Sequence, residues 1–198
     1  MSSAAFAEPS LEAPWTLPSR GRVGMITLIA AESAIFTIFV VAYVFYIGKS
    51  LSGPAPKDVL TVPVFATICL LSSSLSIHLA VRALRSARIG MFGTWWFVTM
   101  ALGMIFLFET GREWQQLIFD EGLTISTNLF GTTYYSLVGL HAFHVTMGLL
   151  ALSAVALFHC GGRLRRDHAE RLEILSMYWH FVDAVWVVVF LVVYVVGA

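Results

Sequence analysis

Five stretches of this chain are apolar for long enough to cross a lipid bilayer as helices: about Val23–Ile47, Val62–Leu84, Met91–Gly111, Phe130–His159 and Glu173–Val196. A spanning helix takes roughly 20 such residues, because no water inside hydrocarbon can satisfy an open backbone. A barrel would instead show alternating segments of about ten residues. The runs here are continuous in Val, Ile, Leu and Phe. The sequence therefore predicts an all-α, polytopic membrane bundle of five transmembrane helices, with residues 23–198 as its single domain. Composition agrees. Only 12% of the 198 residues are Asp, Glu, Lys or Arg, against roughly 25% in soluble domains. Acidic and basic residues balance at 12 each, which implies no polyelectrolyte partner such as nucleic acid. Cys69 and Cys160 stand far apart in apolar surroundings, so they form neither a metal spacing nor a disulfide framework.

Residues 1–22, with Pro9, Pro14 and Pro18, read as an extended cytoplasmic arm. The first apolar run is too long for a cleaved signal peptide, holds Glu32 in its interior and lacks a small-residue cleavage site. Arg20, Arg22, Arg82, Arg85, Arg88, Arg163, Arg165, Arg166 and Arg171 fall on one side of the predicted bundle, and Lys49, Lys57 and Arg112 on the other. Cytoplasmic loops collect Lys and Arg. The expectation is an N-terminus inside and a C-terminus outside.

Ionisable groups inside spans are costly, and each is a functional candidate. Glu32 lies among Ala30, Ala31, Ser33 and Ala34, where an ionised carboxylate needs a partner and the flanking residues offer only Ser33 and Thr27. It reads either as a proton-exchanging or lipid-contacting carboxyl, or as a neutral acid bonded to a neighbouring helix. Glu109 and Glu113 share a helix face beside Arg112 and Trp114, as in an interfacial ion-paired cluster. His141 and His144 are three apart on the fourth span, and His180 and Asp183 three apart on the fifth, so each pair occupies one helix face. These four could ligate a metal, but an interhelical hydrogen-bond network is the favoured reading, since a neutral His donates and accepts and Asp orients an imidazole. Counting from the basic loop between the last two spans, His144 and His180 differ in depth by roughly 10 Å, which disfavours a bis-histidine haem. His78 reads as a packing residue.

The same stretches carry a family resemblance. Tyr134–Gly148 (YYSLVGLHAFHVTMG) closely resembles the aromatic-x-x-x-Gly-x-His-x-x-His-Val-x-x-Gly segment of subunit III of haem–copper respiratory oxidases. Tyr178–Trp186 (YWHFVDAVW) is similar to the signature of that family's last helix. Ala31–Tyr43 (AESAIFTIFVVAY) is similar to its helix with the carbodiimide-reactive glutamate, Glu32 standing at that position. Glu113-Trp114 resembles the glutamate–aromatic stretch that precedes the His-x-x-His helix. Many members have seven helices, with a lipid-filled cleft between the first two and the rest. This chain resembles the five-helix bacterial form, and removing two helices from a seven-helix, N-inside parent leaves the same orientation that the arginines indicate.

The resemblance implies an accessory subunit without redox centres of its own. Haem and copper would belong to subunit I, its direct partner, with subunit II and other respiratory subunits in the same complex. Subunit III would stabilise subunit I, bind phospholipid, and sustain proton uptake and resistance to turnover inactivation while oxygen is reduced to water. The location implied is a bacterial cytoplasmic membrane. In this reading no residue is catalytic and none binds metal. Glu32 is associated with protons or lipid, His141, His144, His180 and Asp183 form a structural network, and Glu109, Arg112, Glu113 and Trp114 form the interfacial cluster. Alternatives within the superfamily are a quinol-oxidase subunit III and the accessory subunit of nitric oxide reductases. An alternative of another class is a stand-alone membrane metal or haem protein that uses the four network residues.

Overall fold

The computed structural model describes residues 19–50 and 53–197. Residues 1–18, most of the expected arm, lie outside the described residues. The helices are α1 (Arg20–Tyr46), α2 (Pro56–Val59), α3 (Val64–Arg85), α4 (Ile89–Phe119), α5 (Leu129–Cys160) and α6 (Ala169–Phe190). A π-helical segment, Leu191–Val196, continues α6. No strand occurs among the described residues, and five helices have the length and hydropathy of membrane spans.

Chain breaks are set by residues that tolerate or impose non-helical backbone. The chain leaves α1 through Gly48, and α4 through Gly122, both at positive φ, where a missing Cβ removes the steric cost. Proline opens α2 and immediately precedes α3, as suits a residue with no N–H to offer. Asn128 caps α5, its side-chain oxygen accepting from Gly131 N at 2.8 Å. Three boundaries differ from expectation. α1 starts at Arg20, so Arg20 and Arg22 belong to the helix rather than to the arm. α4 continues past Gly111 to Phe119, since nothing between them breaks a helix. α6 begins at Ala169 instead of Glu173.

The core lies where α3, α4, α5 and α6 meet, and indole donors tie it together. Trp96 Nε1 donates to Leu152 O across α4 and α5 at 3.0 Å. Trp179 Nε1 donates to Ser73 Oγ at 2.8 Å and Trp186 Nε1 to Thr67 Oγ1 at 3.1 Å, both joining α6 to α3. Ser76 and Thr99 hydroxyls meet at 2.8 Å between α3 and α4. Trp179 occupies a slot made by glycines. A Cβ on Gly148 would lie 2.8 Å from its ring and one on Gly103 2.9 Å, so only glycine lets these backbones approach.

α1 is held differently. Among the spans it packs chiefly on α5 and α6, and of its 27 residues Phe36 and Tyr43 alone are buried. Its outer face shows Ile35, Ile38, Val41 and Phe45, as expected of a surface in contact with lipid or another subunit. At one end of the bundle Glu173 of α6 pairs with Arg85 at the end of α3 and with Arg22 of α1 at 3.6 Å. Three spans therefore present their basic termini on the same side.

Candidate functional site

Glu32 finds its partner on another helix. The hydroxyls beside it are spent on their own helix: Thr27 donates to Val23 O at 3.0 Å and Ser33 to Ile29 O at 2.7 Å. His144 of α5 supplies what they do not, its Nε2 lying 3.1 Å from Glu32 Oε2. The other ring nitrogen, Nδ1, faces Leu140 O at 2.7 Å. A carbonyl only accepts, so Nδ1 carries a proton. One further proton then lies on the Nε2–Oε2 line, held by the acid or by the ring, and in either position the pair has no net charge. Phe36 lies against the imidazole with ring centroids 5.0 Å apart. Tyr178 OH donates to His144 O at 3.3 Å, which ties α6 to the same turn. The histidine side chain is 7% exposed and the glutamate 23%, so the pair is sealed on the protein side and open at the α1 surface.

The expected network of four does not form. His141 and His144 diverge by the 60° that a spacing of three imposes. His144 points to α1, whereas His141 is wholly buried among Trp186, Phe106 and Phe36, at centroid distances of 5.0, 5.6 and 6.5 Å. Neither ring nitrogen of His141 has a hydrogen-bond partner. His180 pairs through Nδ1 with Ser74 Oγ of α3 at 2.6 Å. Asp183 is buried beside that same Ser74, within reach of its hydroxyl but without a hydrogen bond of good geometry. Thus His180 and Asp183 look to α3, and neither meets the histidines of α5.

Depth and exposure also differ from expectation. Gly148 of α5 contacts Trp179 of α6, so His180 lies only about one turn, ~5 Å, from the level of His144. The earlier start of α6 removes the larger offset. Both nitrogens of His144 and Nδ1 of His180 face polar protein groups, whereas His180 Nε2 and the His141 ring do not. His78 is exposed on α3 and is not a core packing residue. Among the described residues no group of three or more His, Cys, Asp or Glu is arranged to hold a metal ion.

The expected interfacial cluster divides in two. Arg112 Nη1 pairs with Glu109 Oε1 at 3.3 Å on the surface, but Glu113 turns inward. Both of its oxygens accept from Tyr194 OH, at 2.9 and 3.1 Å, and Tyr134 OH lies 3.4 Å from the Tyr194 oxygen. Trp114 lies against Tyr135, centroids 5.6 Å apart. Tyr194 was not singled out from the sequence. The available signal was a tyrosine inside an otherwise aliphatic run, whose buried hydroxyl needs a partner.

The fold and this site define a multi-pass membrane subunit whose polar groups join helices to one another. A family model for cytochrome c oxidase subunit III matches residues 16–198, and the chain belongs to that family. It is 36% identical to cytochrome c oxidase subunit 3 of Synechocystis sp., over 89% of this chain and 76% of that one. It is 30% identical to the protein of the same name from Alkalihalophilus pseudofirmus, over 88% of this chain and 86% of that one. It is also 31% identical to cytochrome bo(3) ubiquinol oxidase subunit 3 of Pseudomonas aeruginosa, over 88% and 84%. The chain is thus subunit III of a haem–copper oxidase, of the cytochrome c or quinol type, and a member of a multi-subunit respiratory complex.

Proposed function

We propose that this chain is a non-catalytic, redox-centre-free subunit that stabilises subunit I, binds lipid and sustains proton uptake while its oxidase reduces oxygen. Haem and copper belong to subunit I, and subunit II completes the core of the complex. The observation that carries the reading is the Glu32–His144 contact. It is one exchangeable proton held near the middle of a span, at the margin of a lightly attached helix, and it is where lipid or subunit I would meet the chain. The arginine-rich end, including Arg22, Arg85 and the loop after α5, faces the bacterial cytoplasm in this reading, with the N-terminus inside and the C-terminus outside. Labelling of a cysteine at Ser2 from the outer face would overturn that orientation.

The test of the subunit's role is purification in mild detergent through a tag on this chain. A reduced-minus-oxidised spectrum and metal analysis follow, and both are repeated after the chain is separated from its partners. Haem and copper in the complex, and neither in the separated chain, are expected. Stoichiometric haem or metal retained by the lone chain would make the histidines ligands and overturn the proposal.

A further inference from the structure

His78 lies inside a span yet outside the core, exposed on α3. The end of α3 meets the start of α6 through Arg85 and Glu173, so the two helices run in opposite directions from that pair. His78 stands seven residues in from Arg85, and His180 seven residues in from Glu173. Both imidazoles therefore lie at one level, about 10 Å from the ion pair. They are near enough for a charge on one to act on the other. Arg82, the innermost arginine of α3, is one turn closer to the headgroups.

Both rings keep hydrogen-bonding capacity that this chain does not use. His180 directs Nδ1 to Ser74 Oγ at 2.6 Å. Asp183 takes no well-formed bond from that hydroxyl, so its hydrogen lies toward Nδ1 and the neutral ring carries its own proton on Nε2. That N–H meets no group of the chain and is not enclosed by it. The His78 ring has no hydrogen bond or ion pair among the described residues. Around the two rings the surface is apolar and open, with Leu71 and Leu75 of α3 and Val187 of α6 exposed. Acyl chains offer nothing to an N–H, and a histidine within a span ordinarily faces protein.

We propose that the α3–α6 face around His78 and His180 receives one transmembrane helix of a neighbouring oxidase polypeptide, which sets a carboxyl or carboxamide oxygen against the imidazoles. A helix can cover Leu71, Leu75 and Val187 with apolar side chains and still carry one polar group at the right level. Each neutral ring presents an N–H, so the group that fits is an acceptor. A second copy of this chain would set imidazole against imidazole and bring no such oxygen. The inference needs only that the chain sits in its multi-subunit complex, and it is separate from the Glu32–His144 pair.

The test places the photoreactive residue p-benzoylphenylalanine at Leu75 and illuminates native membranes before the oxidase is purified through a tag on this chain. Peptide mass spectrometry is expected to join Leu75 to a transmembrane segment of another oxidase polypeptide, with Asp, Glu, Asn or Gln within one turn of the joined residue. Retention of that polypeptide through graded detergent is then compared in two variants. His78→Leu keeps the surface apolar and should lower retention about three- to tenfold, the scale of one interhelical hydrogen bond. His78→Gln keeps an N–H donor there and should stay within about twofold of the unmodified complex. Because His78 is exposed, neither change disturbs the core, and circular dichroism checks that helix content is retained. A probe joined only to lipid or detergent would make this a lipid-facing surface and overturn the proposal. A product that joins two copies of this chain, or a joined segment without such a side chain, would overturn it as well. Unaltered retention in His78→Leu would remove the imidazole from the contact and equally refute it.

Discussion

Two carboxylates in this bundle, Glu32 and Glu113, sit on different spans and meet opposite kinds of partner. Glu113 accepts from the buried Tyr194 hydroxyl, with Tyr134 behind it. Every proton in that contact has an obvious owner, because a phenol donates at any pH near neutrality. Glu32 faces an imidazole whose remaining nitrogen is occupied by a carbonyl, so the proton between them has two possible homes. The first arrangement fastens α4 to the end of α6 and rewards staying as it is. The second can pass a proton without creating net charge. The supports differ in the same sense. Glu113 belongs to helices stitched by indole hydrogen bonds, whereas Glu32 belongs to α1, which is buried at only Phe36 and Tyr43.

That contrast can be broken from either side. The largest effect is expected in the stitched region. Trp179→Ala empties the slot between Gly103 and Gly148 and leaves the Ser73 hydroxyl without its donor. The loss should be about 3–5 kcal/mol, read by chemical denaturation in detergent or by failure to assemble. Glu113→Leu leaves the hydroxyl of Tyr194 without its carboxylate acceptor, at a cost of about 1–3 kcal/mol. Glu113→Gln keeps an acceptor and should recover most of it. Neither change at Glu113 should alter the turnover number before inactivation. A shortened lifetime in Glu113→Gln would erase the distinction between the two carboxylates.

Smaller effects sharpen the picture. Asp183 has only the Ser74 hydroxyl beside it, already committed to His180, and no well-formed hydrogen bond of its own, so Asp183→Leu should leave stability unchanged or raised. A loss above ~2 kcal/mol in the same denaturation assay would mean that Asp183 bonds to Ser74 or His180 after all. Arg112→Ala should cost at most about 1 kcal/mol, because its pair with Glu109 is largely exposed and screened. That outcome would confirm that the inner half of the former cluster, not its surface ion pair, does the fastening.

The spans were legible because hydrocarbon leaves so few ways to satisfy a backbone, and the five apolar runs all became helices. The same reading named Glu32, His141, His144, His180 and Asp183 as the polar residues to explain, yet it joined the wrong ones. A spacing of three on one helix says that two side chains share a broad face. It does not say which neighbour each meets when the faces of three helices converge. His141 and His144 therefore separate toward α6 and α1, and the bond to Glu32 spans a sequence distance that no local pattern encodes. Glu113 was misread for a related reason. Proximity to Arg112 in sequence suggested an ion pair, while the competing donor, Tyr194, arrives from the far end of α6.

The account rests on Glu32 and His144 acting as one unit that supports sustained turnover. The direct test compares turnovers before inactivation in the purified oxidase carrying Glu32→Ala, His144→Leu, and both together. The account predicts a shortened lifetime in each single variant, with the double variant no worse than the more severe single one, since either change removes the shared proton. Losses that add in the double variant, or a Glu32→Ala lifetime equal to that of the unmodified complex, would contradict it.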